Sequence, residues 1–249
     1  MLTNLLGRLV AAFQKIYKFR FFALIFFLIL GILIYLTWLV EPSSDVRNIL
    51  ISNTSDHQAT ISYTTTIPTR GTMMVSANSK FPLLPVFSKD LQKDDGENNT
   101  SKTGYYLTHH ITVGNLAPSK KYNFRIFQGQ KKVFEGTFFT GSTPPSFTSP
   151  NPVYGKVVKS DKKTPVVRAI VYFKVVKDAS SSALLSTLTN AEGGWSIDLA
   201  NLRDPNLRNL SVLTKKTQEQ IIVEAGNLGR VKAATILGKD KPWPTIIVK

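Results

Sequence analysis

The chain has 249 residues and carries 31 Lys and Arg against 16 Asp and Glu, which gives a net charge of +15. It contains no cysteine and three histidines, so a disulfide scaffold, a cysteine nucleophile and a thiolate zinc site are excluded, and histidine-rich metal catalysis is disfavoured. Hydrophobic residues make up 43% of the chain. That share is typical of a globular protein and excludes a disordered chain or a polytopic membrane protein.

A run of uncharged, mostly apolar residues, 21–40, follows the N-terminal tail. A helix of that length spans roughly the 30 Å hydrocarbon core, so the run predicts one transmembrane helix. The tail, residues 1–20, is basic and lacks acids, whereas Glu41 opens the other side; the positive-inside rule therefore places the tail in the cytoplasm and the rest outside. The run is too long for a signal-peptide core and no small-x-small site follows it, which favours an uncleaved signal anchor.

Within the tail, apolar residues of 2–17 recur at helical spacing, with Arg8 and Lys15 off that stripe. Two interpretations stay open. The tail is either a short helix lying on the inner leaflet or a plain extension of the anchor.

The exterior part divides at a segment with four prolines and no charge, residues 141–152. Proline stiffens the chain and blocks sheet pairing, which predicts a semi-rigid linker. The segments 43–140 and 153–249 are each roughly 100 residues long, the size of a small β-sandwich. The predicted fold class is therefore all-β, with two tandem immunoglobulin-like β-sandwiches after one N-terminal transmembrane helix.

Alternating, β-branched stretches predict six strands in the first segment. They cover 46–52, 58–65, 72–77, 107–113, 121–127 and 132–140. Tyr63 falls on the inward face of the second strand. Leu116, Pro118 and Tyr122 form the Leu-x-Pro-x-x-x-Tyr pattern of a tyrosine corner, in which the hydroxyl bonds back to the chain entering the strand.

The stretches ATISYTT, THHITVGNLAPSKKYNFRI and FFT resemble a fibronectin type III domain, especially the variant that precedes metallophosphatase domains and occurs in bacterial surface proteins. The resemblance covers roughly 46–140. Tyr63 stands where the family usually has a core Trp, and we expect its hydroxyl to find a partner there. No metallophosphatase catalytic domain follows, so the resemblance does not imply that activity.

An insertion, 78–105, interrupts this pattern with an apolar half, 81–87, and a polar half, 88–104. It is either an edge strand with a long hairpin loop or a binding loop. The acids of the polar half lack the spacing of a calcium loop, so a solvated loop is expected. They are Asp90, Asp94, Asp95 and Glu97.

The second segment begins with a strand at 154–158, and Val166–Val176 predicts a long strand with Val167 and Phe173 on one face. The turn Asn190-x-x-Gly193 leads to Trp195. These features resemble the carboxypeptidase regulatory-like (transthyretin-like) β-sandwich, whose relatives include repeats of collagen-binding adhesins, over about 153–199. Further strands are expected at 221–225, 231–237 and 245–248, whereas 202–213 has no expected place.

The chemistry-bearing motifs are few. His109 and His110 are neighbours on a predicted strand, so they point to opposite faces and cannot chelate one ion together. A structural role is expected for the pair. The sequence has no G-x-S-x-G, P-loop or dinucleotide motif, so we expect no catalysis, no cofactor and no metal.

Basic residues cluster in sequence around the first hairpin of the second segment. They are candidate anion-binding residues: Lys156, Lys159, Lys162, Lys163, Lys174 and Lys177. An exterior location argues against nucleic acid and favours lipid headgroups, teichoic-type polymers or acidic glycans of the envelope, or another envelope protein. Alternatively, the charge only keeps the protein soluble.

The sequence thus predicts a non-catalytic, membrane-anchored, extracytoplasmic protein for binding, adhesion or envelope scaffolding. The alternative is an assembly or accessory subunit of a membrane-bound secretion, pilus or wall-synthesis complex.

Overall fold

The computed structural model describes residues 20–36, 42–82, 90–97, 104–146, 148–177, 180–211, 213 and 217–249. Helix α1 covers 20–36, and nearly all of its side chains are exposed. No helix within these described ranges is both long enough and apolar enough to cross a membrane. The end of the predicted anchor, 37–40, and the stripe at 2–17 lie outside the described residues.

In the described part of the chain, seven strands form the first sandwich. They are β1 Val46–Ser52, β2 Ala59–Thr69, β3 Thr72–Ser76, β4 Gln92–Lys93, β5 Tyr106–Val113, β6 Lys121–Gln128 and β7 Lys131–Phe139. One sheet has the order β1-β2-β5 and the other the order β4-β3-β6-β7, all antiparallel. Ile61, Tyr63, Ile111 and Ile126 are fully buried between the two sheets. This order of strands is typical of an immunoglobulin-type sandwich.

Eight strands among the described residues form the second sandwich. They are β8 Pro152–Lys159, β9 Ile170–Lys177, β10 Ser180–Ser181, β11 Leu185–Leu188, β12 Gly194–Asp198, β13 Gln218–Glu224, β14 Arg230–Ile236 and β15 Ile246–Val248. One sheet is β12-β8-β15, with β15 parallel to β8; the other is β10-β9-β13-β14, with β11 also paired to β9. Val171, Phe173, Trp195 and Ile221 belong to the core between them. The prediction of an all-β fold is confirmed at this level.

The long strand predicted over Val166–Val176 begins only at Ile170. The chain turns at Arg168, whose φ is +57°, so the strand alternation does not extend back through the turn. Val167 was predicted on the same face as Phe173, but Phe173 is buried and Val167 is 54% exposed. The turn could not be predicted from the sequence, because no glycine or proline marks it between Val166 and Ile170.

The unassigned insertion, 202–213, contains a short β-bridge between Arg203 and Leu210. The guanidinium of Arg203 is buried and donates from Nη1 to the Ser142 carbonyl at 2.6 Å. Asp204 closes the turn by accepting from the Arg208 amide at 2.9 Å. This insertion therefore holds the chain that connects the two sandwiches.

The connecting segment, 141–152, is bonded to both halves along its length. The Gly141 amide donates to the Ser55 carbonyl at 2.8 Å, and Thr148 Oγ1 donates to the Ala200 carbonyl at 2.6 Å. Residues 42–249 form one compact unit. The segment is therefore hydrogen-bonded to residues of both sandwiches.

Candidate functional site

The two sandwiches meet through polar side chains. Ser62 Oγ of β2 lies 2.8 Å from the Tyr172 hydroxyl of β9, and Thr108 Oγ1 of β5 donates to the Arg168 carbonyl at 2.7 Å. These side chains are on the face of the sheet that points away from the first core. The second sandwich covers that face, which explains why a strand with alternating polar residues is buried on both sides.

His110 is the centre of this contact. Its Nδ1 lies 2.7 Å from Asp95 Oδ2, and its Nε2 lies 2.7 Å from Ser186 Oγ of β11. Burial alone would raise the pKa of Asp95, but hydrogen bonds and charge from His110, with hydrogen bonds from Thr112, outweigh it and lower the pKa. The ionised Asp95 can only accept, so Nδ1 of His110 donates to it.

Asp95, His110 and Ser186 have the hydrogen-bond order of a serine hydrolase triad. The Ser186 oxygen, however, also lies 2.6 Å from Ser52 Oγ and 3.3 Å from Asn53 Nδ2, and both of these come from the first sandwich. A nucleophile needs room for substrate beside its oxygen, and this oxygen is enclosed between the sandwiches. The arrangement suits a link between the two halves.

His109 points the other way, into the first core. Its ring stacks on Tyr63 with centroids 4.5 Å apart, and its Nδ1 lies 2.7 Å from Asp94 Oδ2. Arg168 of the second sandwich reaches Asp94 Oδ1 at 3.4 Å and lies 3.5 Å above the Tyr106 ring. No three His, Asp or Glu side chains within the described ranges are grouped as a metal site would need.

Asp90 is exposed, as a solvated loop predicts, whereas Asp94 and Glu97 are not. Asp94 is fully buried and Glu97 nearly so. Asp94 bonds to His109 and Asp95 bonds to His110, because the two side chains of each pair point to opposite sides of their chain. Sequence reasoning missed this partnership, and the only available signal was the matched pair of dipeptides, Asp94-Asp95 and His109-His110.

At the predicted tyrosine corner, the Tyr122 hydroxyl accepts from the Ala117 amide at 2.8 Å. Leu116 is half-buried against the first core, and Pro118 is exposed. The Tyr63 hydroxyl, which was expected to find a partner, is buried without one among the described residues. Stacking on His109 in the core therefore accounts for the placement of Tyr63. The Tyr63 hydroxyl adds no hydrogen bond to the described residues.

In the second sandwich, Gly193 occupies the predicted turn with φ +71°, a conformation that favours glycine. Its amide donates to the Asn190 carbonyl at 3.0 Å. The turn carries the chain from one sheet to the other and delivers Trp195 into the core.

The six candidate lysines do not form one patch. Lys156 and Lys159 are exposed on β8, and Lys162 and Lys163 are exposed on the turn that follows. Lys174 is half-buried on β9 in the opposite sheet, on the face away from Phe173. The side chain of Lys177 is not among the described parts of the structure. The first four thus lie on β8 and the turn after it, and Lys174 lies in the other sheet.

The turn beyond β8 is organised by Asp161. Its Oδ1 accepts from the amides of Lys163 at 2.9 Å and Thr164 at 2.8 Å. Hydrogen bonds from the Thr164 hydroxyl and from these two amides lower the pKa of Asp161 to about 2. The carboxylate therefore stays ionised and sets the backbone that presents Lys162 and Lys163.

A cavity of about 650 Å³ opens on the second sandwich beside Lys156. Trp195 and Trp243 form its wall, with ring centroids 6.4 Å apart. Gly155 lies between them, and a Cβ there would come within 3.0 Å of both tryptophan side chains. The cavity thus depends on a residue without a side chain at this point, and Tyr154 stands exposed at its edge.

The strand order defines an all-β protein in which an immunoglobulin-type sandwich is packed against a second sandwich. No protein-family model and no curated protein matches its sequence.

Solved structures that the chain resembles include the structure of PhoD, at 12% identity and a TM-score of 0.28, with 45% of this chain and 21% of that chain covered. The FN1–FN3 domains of chicken CNTN1 match at 14% identity and a TM-score of 0.28, covering 78% and 67%. A two-domain fibronectin type III segment of chicken tenascin matches at 10% identity and a TM-score of 0.26, covering 78% and 98%. Because these TM-scores are low, the fold is assigned from the strand order and not from these resemblances.

Proposed function

We propose that the chain is a non-catalytic, membrane-anchored, extracytoplasmic protein that binds or scaffolds components of the envelope. The observation that carries this proposal is the hydrogen-bonded contact between the two sandwiches, centred on His110 and Ser186. Such a contact makes one rigid body out of two modules. A rigid body presents a binding surface without the loss of freedom that a flexible pair would suffer on binding.

Membrane anchoring is supported by helix α1. Its phenylalanine, leucine and isoleucine side chains are exposed around the helix, as a lipid-facing segment requires. The apolar run continues in sequence to Val40, and the preceding tail is basic. The positive-inside rule then favours an exterior location for residues 42–249.

Attraction to an anionic envelope component is supported by charge. The chain carries +15, and four of the candidate lysines are exposed on one strand and its turn. Surface charge of this kind speeds encounter with polyanions and weakens as salt rises.

The test is cosedimentation of the full chain, in nanodiscs, with purified envelope polymer across a salt series. We expect binding at low salt that falls as salt passes about 0.15 M. Protease protection of the tail in inverted and right-side-out vesicles checks the orientation. Absence of binding at every salt concentration would contradict polymer binding, and an exposed tail in right-side-out vesicles would contradict the topology.

The second candidate, an assembly or accessory subunit, is supported by the exposed apolar surface of α1, which a partner helix in the membrane could cover. Replacing residues 1–40 with an unrelated anchor separates the two. A polymer-binding protein keeps its activity after the exchange, whereas a subunit that assembles through α1 loses it.

A further inference from the structure

The cavity beside Lys156 has the features of a ligand site and is distinct from the contact between the sandwiches. We propose that it binds an acidic saccharide, a chain of uronic acid units, and this assignment rests on the proposed binding function. It lies at the open side of the second sandwich, between β8, β12 and the segment 242–245. Its volume of about 650 Å³ lies within the range of ordinary small-ligand sites.

The aromatic residues of the cavity differ in their exposure. Trp195 and Trp243 are almost fully buried on the side of Gly155 that faces the core, whereas Tyr154 is 44% exposed on the other side. Tyr154 is on β8 with its side chain away from the second core, so its ring is held by the strand and faces solvent. A sugar ring presents an apolar face of C–H groups, and an exposed aromatic ring on a rigid strand is a suitable surface for it.

A buried donor at the wall is left without a partner. The indole Nε1 of Trp195 has no solvent exposure and no hydrogen-bond partner among the described residues. A buried polar group without a partner costs about 1–3 kcal/mol. Because this donor has no exposed surface, a ligand does not reach it, and hydrogen bonds to a saccharide come from other polar groups of the lining. Thr187, Asn190 and Ser196 add further polar groups to the same lining.

The charge of the cavity selects an acidic ligand. Lys156 is the one charged side chain among the described residues that line it. A single ammonium matches a single negative charge, as on a uronic acid carboxylate, better than the nearly double charge of a phosphate monoester. Polymers of glycerol phosphate have no ring face for Tyr154, so we assign the site to uronic acid units.

The experiment is a calorimetric titration of the full chain with tetragalacturonate, and with maltotetraose as the neutral counterpart. The detergent must lack a sugar headgroup, since a glycoside detergent would compete for the site. Fluorescence gives an independent signal, because two of the three tryptophans of the chain line the cavity. We expect tetragalacturonate to bind and to quench or shift this fluorescence.

The variants are Tyr154→Ala and Lys156→Gln, each with a matched control. Tyr105→Ala removes a tyrosine of similar exposure, 45%, from another part of the surface, and Lys232→Gln removes an exposed lysine of β14. We expect Tyr154→Ala to weaken binding about tenfold, equivalent to about 1.4 kcal/mol. Lys156→Gln should weaken it severalfold and remove most of its salt dependence. The two controls should bind as the parent chain does.

The outcomes separate this inference from the proposed function. Cosedimentation with envelope polymer that survives Tyr154→Ala and Lys156→Gln, without tetragalacturonate binding, overturns the saccharide site and leaves the proposed function standing. Equal binding of maltotetraose overturns the acidic assignment. If the variants and their controls lose the same affinity for tetragalacturonate, the saccharide does not bind at this cavity. Loss of all cosedimentation together with absent saccharide binding overturns both proposals.

Discussion

His110 Nε2 and Ser186 Oγ are 2.7 Å apart, and this bond crosses from one sandwich to the other. Both residues are buried, so water cannot replace either partner. A buried polar contact tolerates only the arrangement in which its donors and acceptors meet. The bond therefore fixes the orientation of the two sandwiches as well as their contact.

Removing the Ser186 hydroxyl should destabilise the protein. Ser186→Ala leaves the His110 Nε2 and the Asn53 side chain with one partner fewer in a buried contact, which should cost about 1–3 kcal/mol. Urea unfolding of the full chain, followed by circular dichroism, measures the loss. Ser196→Ala removes an exposed serine hydroxyl from β12 and should change the free energy of unfolding by less than about 0.5 kcal/mol. Equal values for the two variants would contradict a linking role.

Glu219 should make the stability depend on pH in an unusual direction. Its carboxyl is fully buried. Burial raises the pKa of Glu219 from 4.5 to about 7, and the charge of Asp240 adds to the rise while Trp243 and Lys241 oppose it. The folded chain then holds a proton that the unfolded chain releases, so stability falls as pH rises from about 4.5 through 7.

Glu219→Gln should therefore stabilise the protein at neutral pH. The gain should be absent near pH 4 and grow to at most about 3 kcal/mol at pH 8, because the amide carries no charge to bury. Unfolding curves recorded from pH 4 to pH 8 show the difference between variant and parent. Glu192→Gln is the matched control, since Glu192 is exposed in a turn. A constant difference across this range would rule out titration of Glu219 as the cause.

The two core tyrosines of the first sandwich should respond oppositely to loss of the hydroxyl. Tyr63→Phe should be neutral or stabilise by about 1 kcal/mol, because the buried hydroxyl has no partner in the described structure. Tyr122→Phe should destabilise by about 1 kcal/mol, since its hydroxyl accepts from the Ala117 amide at 2.8 Å. Thermal unfolding of both variants under one condition compares them. A larger loss for Tyr63→Phe would show that its hydroxyl has a partner after all.

Arg203 should resist even a conservative substitution. Its guanidinium donates from Nη1 to the Ser142 carbonyl and from Nε to Asn201 Oδ1 at 3.2 Å. The single ammonium of a lysine cannot make both of these hydrogen bonds in the same geometry. We expect Arg203→Lys to cost about 2 kcal/mol and to expose the connecting segment to protease. Limited proteolysis with mass spectrometry locates the cut, with Arg208→Lys as the control because Arg208 is exposed. Unchanged cleavage would contradict the role of Arg203 in holding this segment.

The strands of the first sandwich could be predicted because their alternation is local. β1 was predicted with its observed bounds, 46–52. The contact between the sandwiches could not be predicted in this way. The polar side chain of Ser62 faces away from its own core, and a single sequence cannot distinguish solvent from a second domain on that face. Arg168 was missed for a related reason, since its turn is determined by partners in the other sandwich.

Asp94 and Asp95 are joined by one peptide bond. Asp94 bonds to His109 inside the first sandwich, whereas Asp95 bonds to His110 at the contact with the second. A displacement of either sandwich must therefore strain the packing of both. Cooperativity follows: calorimetry of the full chain should show residues 42–249 melting in one heat-absorption peak. Asp95→Asn weakens only the outer bond and should be the substitution that splits this peak in two.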